Sequence, residues 1–138
     1  MITKRSVLAT AAGLLVWILV VSLLNRGLRL GLAGYTAAEP TMSFTLTMMA
    51  ARLTIAALAS LIGGAALGWI APRARAAPLV LGAILVAVFV PVHVQLWSRF
   101  PPWYHLTFLL SLLPLVVLGA RLASSGASAA SRGELMQR

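Results

Sequence analysis

Four apolar stretches, residues 7–24, 45–70, 79–97 and 104–120, occupy most of a chain of 138 residues. A helix rises about 1.5 Å per residue, so about 20 residues cross a hydrocarbon core of roughly 30 Å, and each stretch is near that length. Too little chain remains to build a water-soluble domain. The pattern predicts an all-α fold: an integral membrane bundle of four transmembrane helices running up and down. Residues 1–121 form its single domain, and 122–138 a mobile cytoplasmic tail too poor in apolar side chains to pack.

Composition agrees. The chain is 61% hydrophobic and 9% charged, whereas a soluble domain carries roughly a quarter charged residues. The formal charge of +9 would point to nucleic acid in a soluble protein. Here the basic residues flank the spans, where they hold a segment on the cytoplasmic side and attract anionic headgroups by about 1 kcal/mol each. The expected partner is therefore the lipid bilayer and not nucleic acid. With no cysteine, disulfides, thiolate nucleophiles, iron–sulfur clusters and Cys-ligated zinc are excluded. No cofactor is expected, and any that did bind would depend on histidine.

Lys4 and Arg5 before the first apolar run resemble the start of a secretory signal. The run of uncharged residues from Val7 to Leu24 is longer than the usual h-region of about 7–15, and Asn25-Arg26-Gly27-Leu28-Arg29 is no small-residue cleavage site. Residues 7–24 are accordingly read as a retained span. If all four stretches cross, Lys4, Arg5, Arg73, Arg75, Arg121, Arg132 and Arg138 share one side and Arg26, Arg29 and Arg99 the other. That bias puts both termini in the cytoplasm of a bacterial-type inner membrane and disfavours dual topology. Trp69, Trp97, Trp103 and Tyr104 fall at span ends, as interfacial anchors do. Between residues 25 and 43, Gly27, Gly31, Gly34 and Pro40 argue against a continuous helix. Pro101-Pro102 turns the chain into the fourth span, and Pro91 and Pro114 are expected to kink the third and fourth. On the second span, Ala56, Ser60, Gly64 and Gly68 recur every four residues as a small-residue seam, which lets backbones approach closely and here favours a contact within the chain over one between copies.

Ionisable residues inside spans are costly, about 2.5–3.5 kcal/mol for Arg at the centre, and so they are the candidates for function. Counting back along each helix puts Arg52, His93 and His105 in the outer half of the bilayer. Glu39, Arg99 and Tyr104 belong to the same side, so a candidate contact site for a partner or small solute comprises Glu39, Arg52, His93, Arg99, Tyr104 and His105. Glu39 is expected to pair with Arg52 and ease the burial of that cation. The plainer reading has Arg52 snorkelling toward lipid phosphate or a loop carbonyl, His93 bonding between helices and His105 at the interface. A tight turn brings the two histidines, twelve residues apart, within reach of each other. Two imidazoles suffice for axial haem ligation, or for half of a zinc site that lacks two further ligands, or for a proton relay through Arg52 and Glu39.

No Gly-x-Ser-x-Gly elbow occurs and no carboxylate is placed to orient a histidine, so an enzyme is not expected. In size and helix number the chain resembles the small multidrug transporters and the fluoride channels. The likeness stops at hydropathy: residues 7–24 lack the glutamate that the first family uses, the charge bias disfavours the dual insertion of the second, and its polar pore motif is absent. The sequence therefore points to a small polytopic inner-membrane protein, a non-enzymatic accessory or interaction subunit with an outward-facing polar cluster. It would serve a membrane-protein partner or a second copy of itself. A transporter or channel subunit and a haem-binding redox subunit are the alternatives.

Overall fold

The computed structural model describes residues 3–136, so Arg138, which counts toward the charge bias, lies outside the described residues. Helix α1 spans Lys4–Gly31, the short α2 Tyr35–Ala38, α3 Leu46–Ile70, α4 Ala77–Gln95 and α5 Pro102–Met136. All but α2 contain stretches long and apolar enough to cross a membrane. The helix starts follow from local chemistry. The Thr3 hydroxyl accepts from the Ser6 amide and that of Thr45 from the Met48 amide, each satisfying a donor that the first turn leaves free. Pro78 and Pro102 sit in the first turns of α4 and α5, where a missing N–H costs nothing.

Several boundaries differ from expectation: α1, α4 and α5 start two or three residues early, at Lys4, Ala77 and Pro102, and three ends differ as well. Helix α1 continues past Leu24 to Gly31, because a glycine such as Gly27 costs a helix only about 1 kcal/mol, and Leu28 packs on the small core of Tyr35, Ala38 and Met48. Helix α4 closes at Gln95, two residues before the apolar run ends. Residues after Arg121, read from the sequence as a mobile tail, continue α5 to Met136. Proline is absent there and Ala, Arg, Leu and Met are good helix formers. Pro91 and Pro114 both lie inside continuous helices.

Contacting residues define the topology. Gly13 meets Gly63 and Trp17 meets Ser60, so α1 and α3 are antiparallel. Gly64 lies on Val116 and Gly68 on Ala120, which makes α3 and α5 parallel. Gly82 lies on Leu113 and His93 meets His105, so α4 and α5 are antiparallel. The four long helices thus run up and down, with α3 and α4 facing across the diagonal and joined by the connection 71–76.

The small-residue seam packs within the chain, and it divides between two neighbours. A Cβ on Gly64 or Gly68 would run into the carbonyls of Val116 or Ala120, and one on Gly119 into that of Leu61. Ser60 instead faces α1, accepting from Trp17 Nε1 at 3.1 Å while donating to the Ala56 carbonyl at 2.7 Å. Residues four apart on a helix drift by about 40°, so over three such steps the stripe winds from one neighbour to the next. Leu67, Leu81, Leu85, Leu112 and Val116 fill the middle and basic-end core at 0–2% exposure. Leu15, Val88 and Leu110 point outward, as a lipid-facing surface requires.

The bundle has two unlike ends. One gathers the start of α1, the connection 71–76 and Ala120, and there Arg5 Nε donates to the Ile70 carbonyl at 2.8 Å, satisfying an acceptor left free at the end of α3. The other end holds α2, the connections around it, and residues 96–101.

Candidate functional site

Arg52 organises that second end. Its Nε donates to the Tyr104 hydroxyl at 3.2 Å and its Nη1 to the Tyr35 hydroxyl at 2.8 Å. The guanidinium lies 4.8 Å above the Phe44 ring, a cation–π contact. Tyr35, Phe44, Phe100 and Tyr104 form a continuous aromatic run, with successive ring centroids 5.3, 5.9 and 5.0 Å apart. The cation therefore bridges the two hydroxyls at the ends of a stack drawn from α2, the loop before α3, the loop before α5, and α5 itself. Gly34, in the left-handed region at φ 76°, lets the chain reverse out of α1 and bring Tyr35 inward.

This geometry corrects the expected Glu39–Arg52 pair. Glu39 is the C-cap of α2, and the extension of α1 to Gly31 brings Arg29 beside it. Arg29 Nε and Nη2 grip both carboxylate oxygens at 2.9–3.1 Å. The pair is solvent-facing, with side-chain exposures of 56% and 25%. Nor does Arg52 snorkel outward. It is half-buried and turned into the protein, where the phenols accept its hydrogens.

His93 and His105 converge, as their spacing allows, and join through their Nδ1 atoms at 2.7 Å. One Nδ1 carries the shared hydrogen and the other accepts it, so a neutral pair holds opposite tautomers. Neither ring is interfacial: His93 is 6% exposed and His105 is completely buried. Trp97 stacks on His105 at 4.8 Å, and Phe108 lies 4.5 Å from His93. His105 Nε2 has no hydrogen-bond partner and is the one buried side-chain polar atom left so among the described residues. Tyr104 likewise departs from its expected place among the interfacial anchors and is buried, whereas Trp69, Trp97 and Trp103 stay exposed. Arg99 remains on the surface of the connection before α5, outside the cluster.

Between α1, α3, α4 and α5 the same end encloses a cavity of about 110 Å³. Arg52, His93, Tyr104 and Asn25 contribute its polar walls, and Trp17, Phe89, Phe100 and Phe108 are among its apolar ones. Sequence reasoning missed Tyr35, Phe44, Phe100 and Asn25. One signal was available: the chain has only two tyrosines, and both belong to the Arg52 cluster.

The arrangement constrains its chemistry. Among the described residues the Nδ1 atoms of the histidines are engaged with each other, no carboxylate orients either ring, and no three His or acidic side chains gather as metal ligands. The imagined proton relay through Arg52 to Glu39 is broken, since Glu39 is held by Arg29. Comparison with protein-family models, curated proteins and solved structures finds no match to this chain.

Proposed function

We propose that this chain is a small non-enzymatic accessory or interaction subunit of a bacterial-type inner membrane, with both termini cytoplasmic and its aromatic, polar end facing outward. The observation that carries this reading is the gathering of Arg52, His93, His105 and both tyrosines at one end of the bundle around a partly open interior. Side chains that are costly to hold within a membrane-spanning segment are retained where something is recognised. What that end recognises is a ligand or partner held by hydrogen bonds, because no nucleophile and base stand within reach of each other there.

A channel or transporter formed by one copy finds less support, since Leu67, Leu81, Leu85, Leu112 and Val116 close the core beyond the cavity. Bis-histidine haem ligation also fits poorly, because the bond between the two Nδ1 atoms leaves the Nε2 atoms on the far sides of the rings, where they cannot face one iron. The test is recovery of companion membrane proteins by the tagged chain in mild detergent, compared with Arg52→Gln and His93→Gln variants matched for abundance. Recovery lost at equal abundance supports the reading; recovery unchanged by either variant overturns it.

A further inference from the structure

The hydrogen-bond inventory around the cavity is lopsided. A guanidinium has five N–H donors and no acceptor. Arg52 uses one on Tyr104 and one on Tyr35 and finds no carboxylate among the described residues. Each phenol accepts from Arg52 and so keeps its own hydrogen to give, and no acceptor among the described residues takes it. His93 has its Nδ1 engaged with His105, which leaves Nε2 as its remaining polar atom, and its ring lines the cavity. When His105 donates the shared hydrogen, His93 Nε2 carries an N–H, and His105 keeps only a bare lone pair at its sealed Nε2. Of the polar walls, Asn25 alone brings an acceptor of settled kind, its amide oxygen.

A half-buried cation with donors to spare and no counter-charge is stabilised by an acceptor-only group. An arginine fork selects planar or tetrahedral oxyanions, bound through two parallel N–H···O bonds. The space, about 110 Å³, is well below the roughly 300–1,000 Å³ of pockets that take drug-sized ligands, which suits one small oxyanion group and not a ring system. Arg52 is eighteen residues from Ile70, about 27 Å along α3 and so only a few Å inside the far boundary of a bilayer. That is the depth at which a headgroup phosphate is available.

We propose that the cavity bounded by Arg52, His93, Tyr104 and Asn25 binds a phosphate group, held by the free edge of the Arg52 guanidinium with Tyr104 and His93 donating from the sides. The proposal rests on reading this end as a binding end, but it needs neither a partner protein nor a particular orientation. The phosphate has two sources, an anionic lipid headgroup or free inorganic phosphate, and one experiment separates them.

The purified full chain in dodecyl maltoside is titrated with inorganic phosphate by calorimetry. In parallel it is placed in phosphatidylcholine nanodiscs with or without phosphatidylglycerol, and retained lipid is counted by native mass spectrometry. Saturable heat with phosphate assigns the free anion. Retention of phosphatidylglycerol at least tenfold over phosphatidylcholine, without that heat, assigns the headgroup. Either result supports the site if Arg52→Gln weakens it at least tenfold and Tyr104→Phe severalfold. Absence of both signals from the wild-type protein overturns it, and this decision holds even if the Arg52 variant fails to fold. An unchanged signal in a folded Arg52→Gln variant overturns it equally. Phosphate binding with no change in companion recovery would overturn the interaction reading alone.

Discussion

Arg52 and Glu39 are the two charges whose partners separate this account from a simple reading of the chain. The Arg52 hydroxyl bonds are charge-assisted and partly shielded from water, a setting in which each contributes about 1.5–3 kcal/mol. Tyr104→Phe and Tyr35→Phe are each expected to lower the melting temperature in detergent by an amount corresponding to at least about 1 kcal/mol. Glu39→Gln is expected to leave it unchanged, because the Arg29–Glu39 pair is exposed and screened. A large loss from Glu39→Gln beside an unaffected Tyr104→Phe would restore the Glu39–Arg52 pairing. The sequence cannot show why Glu39 chooses Arg29, since that depends on one more turn and a half of helix α1 beyond Leu24. It did place the two histidines together, because twelve residues around Pro101-Pro102 leave little else for a tight turn to do.

At the scale of the helices, close approach is set by glycine. Gly64, Gly68 and Gly119 touch backbone atoms across the α3–α5 contact, and a backbone carbonyl cannot move aside as a side chain can. Gly64→Ala or Gly119→Ala is expected to cost at least about 1–3 kcal/mol through forced separation of the helices. Gly27→Ala, with nothing near its missing Cβ, is expected to be neutral or to stabilise by up to about 1 kcal/mol. Thermal melting of the three variants in one detergent checks the contrast, and equal effects would mean that the seam does not set helix spacing. The spans were legible because twenty-residue apolar runs have few alternatives, and Pro102 announced the start of the last one. What α1 does after Leu24 was hidden by its glycines, and the residues after Arg121 by their sparse apolar content. The seam was visible as spacing, but not its division between α1 and α5, since that arises from a slow rotation of the stripe about the helix axis.

For the whole molecule, the two ends divide the work. The basic end ties the start of α1 to the end of α3 through Arg5 and carries Arg73 and Arg75 in its connection, while the other end encloses the cavity and its aromatic walls. The sense of this axis across the membrane decides whether the cavity opens to the outside of the cell. Because the native chain contains no cysteine, single cysteines introduced at Ala37, Ser98, Ala74 and Ala130 report it cleanly. The measurement is labelling of intact cells with a membrane-impermeant maleimide, followed by the same labelling after the membrane is opened. Positions 37 and 98 are expected to label in intact cells, and 74 and 130 only after opening. Labelling of 74 or 130 from outside would invert the bundle or remove a crossing, and would contradict an outward-facing cavity.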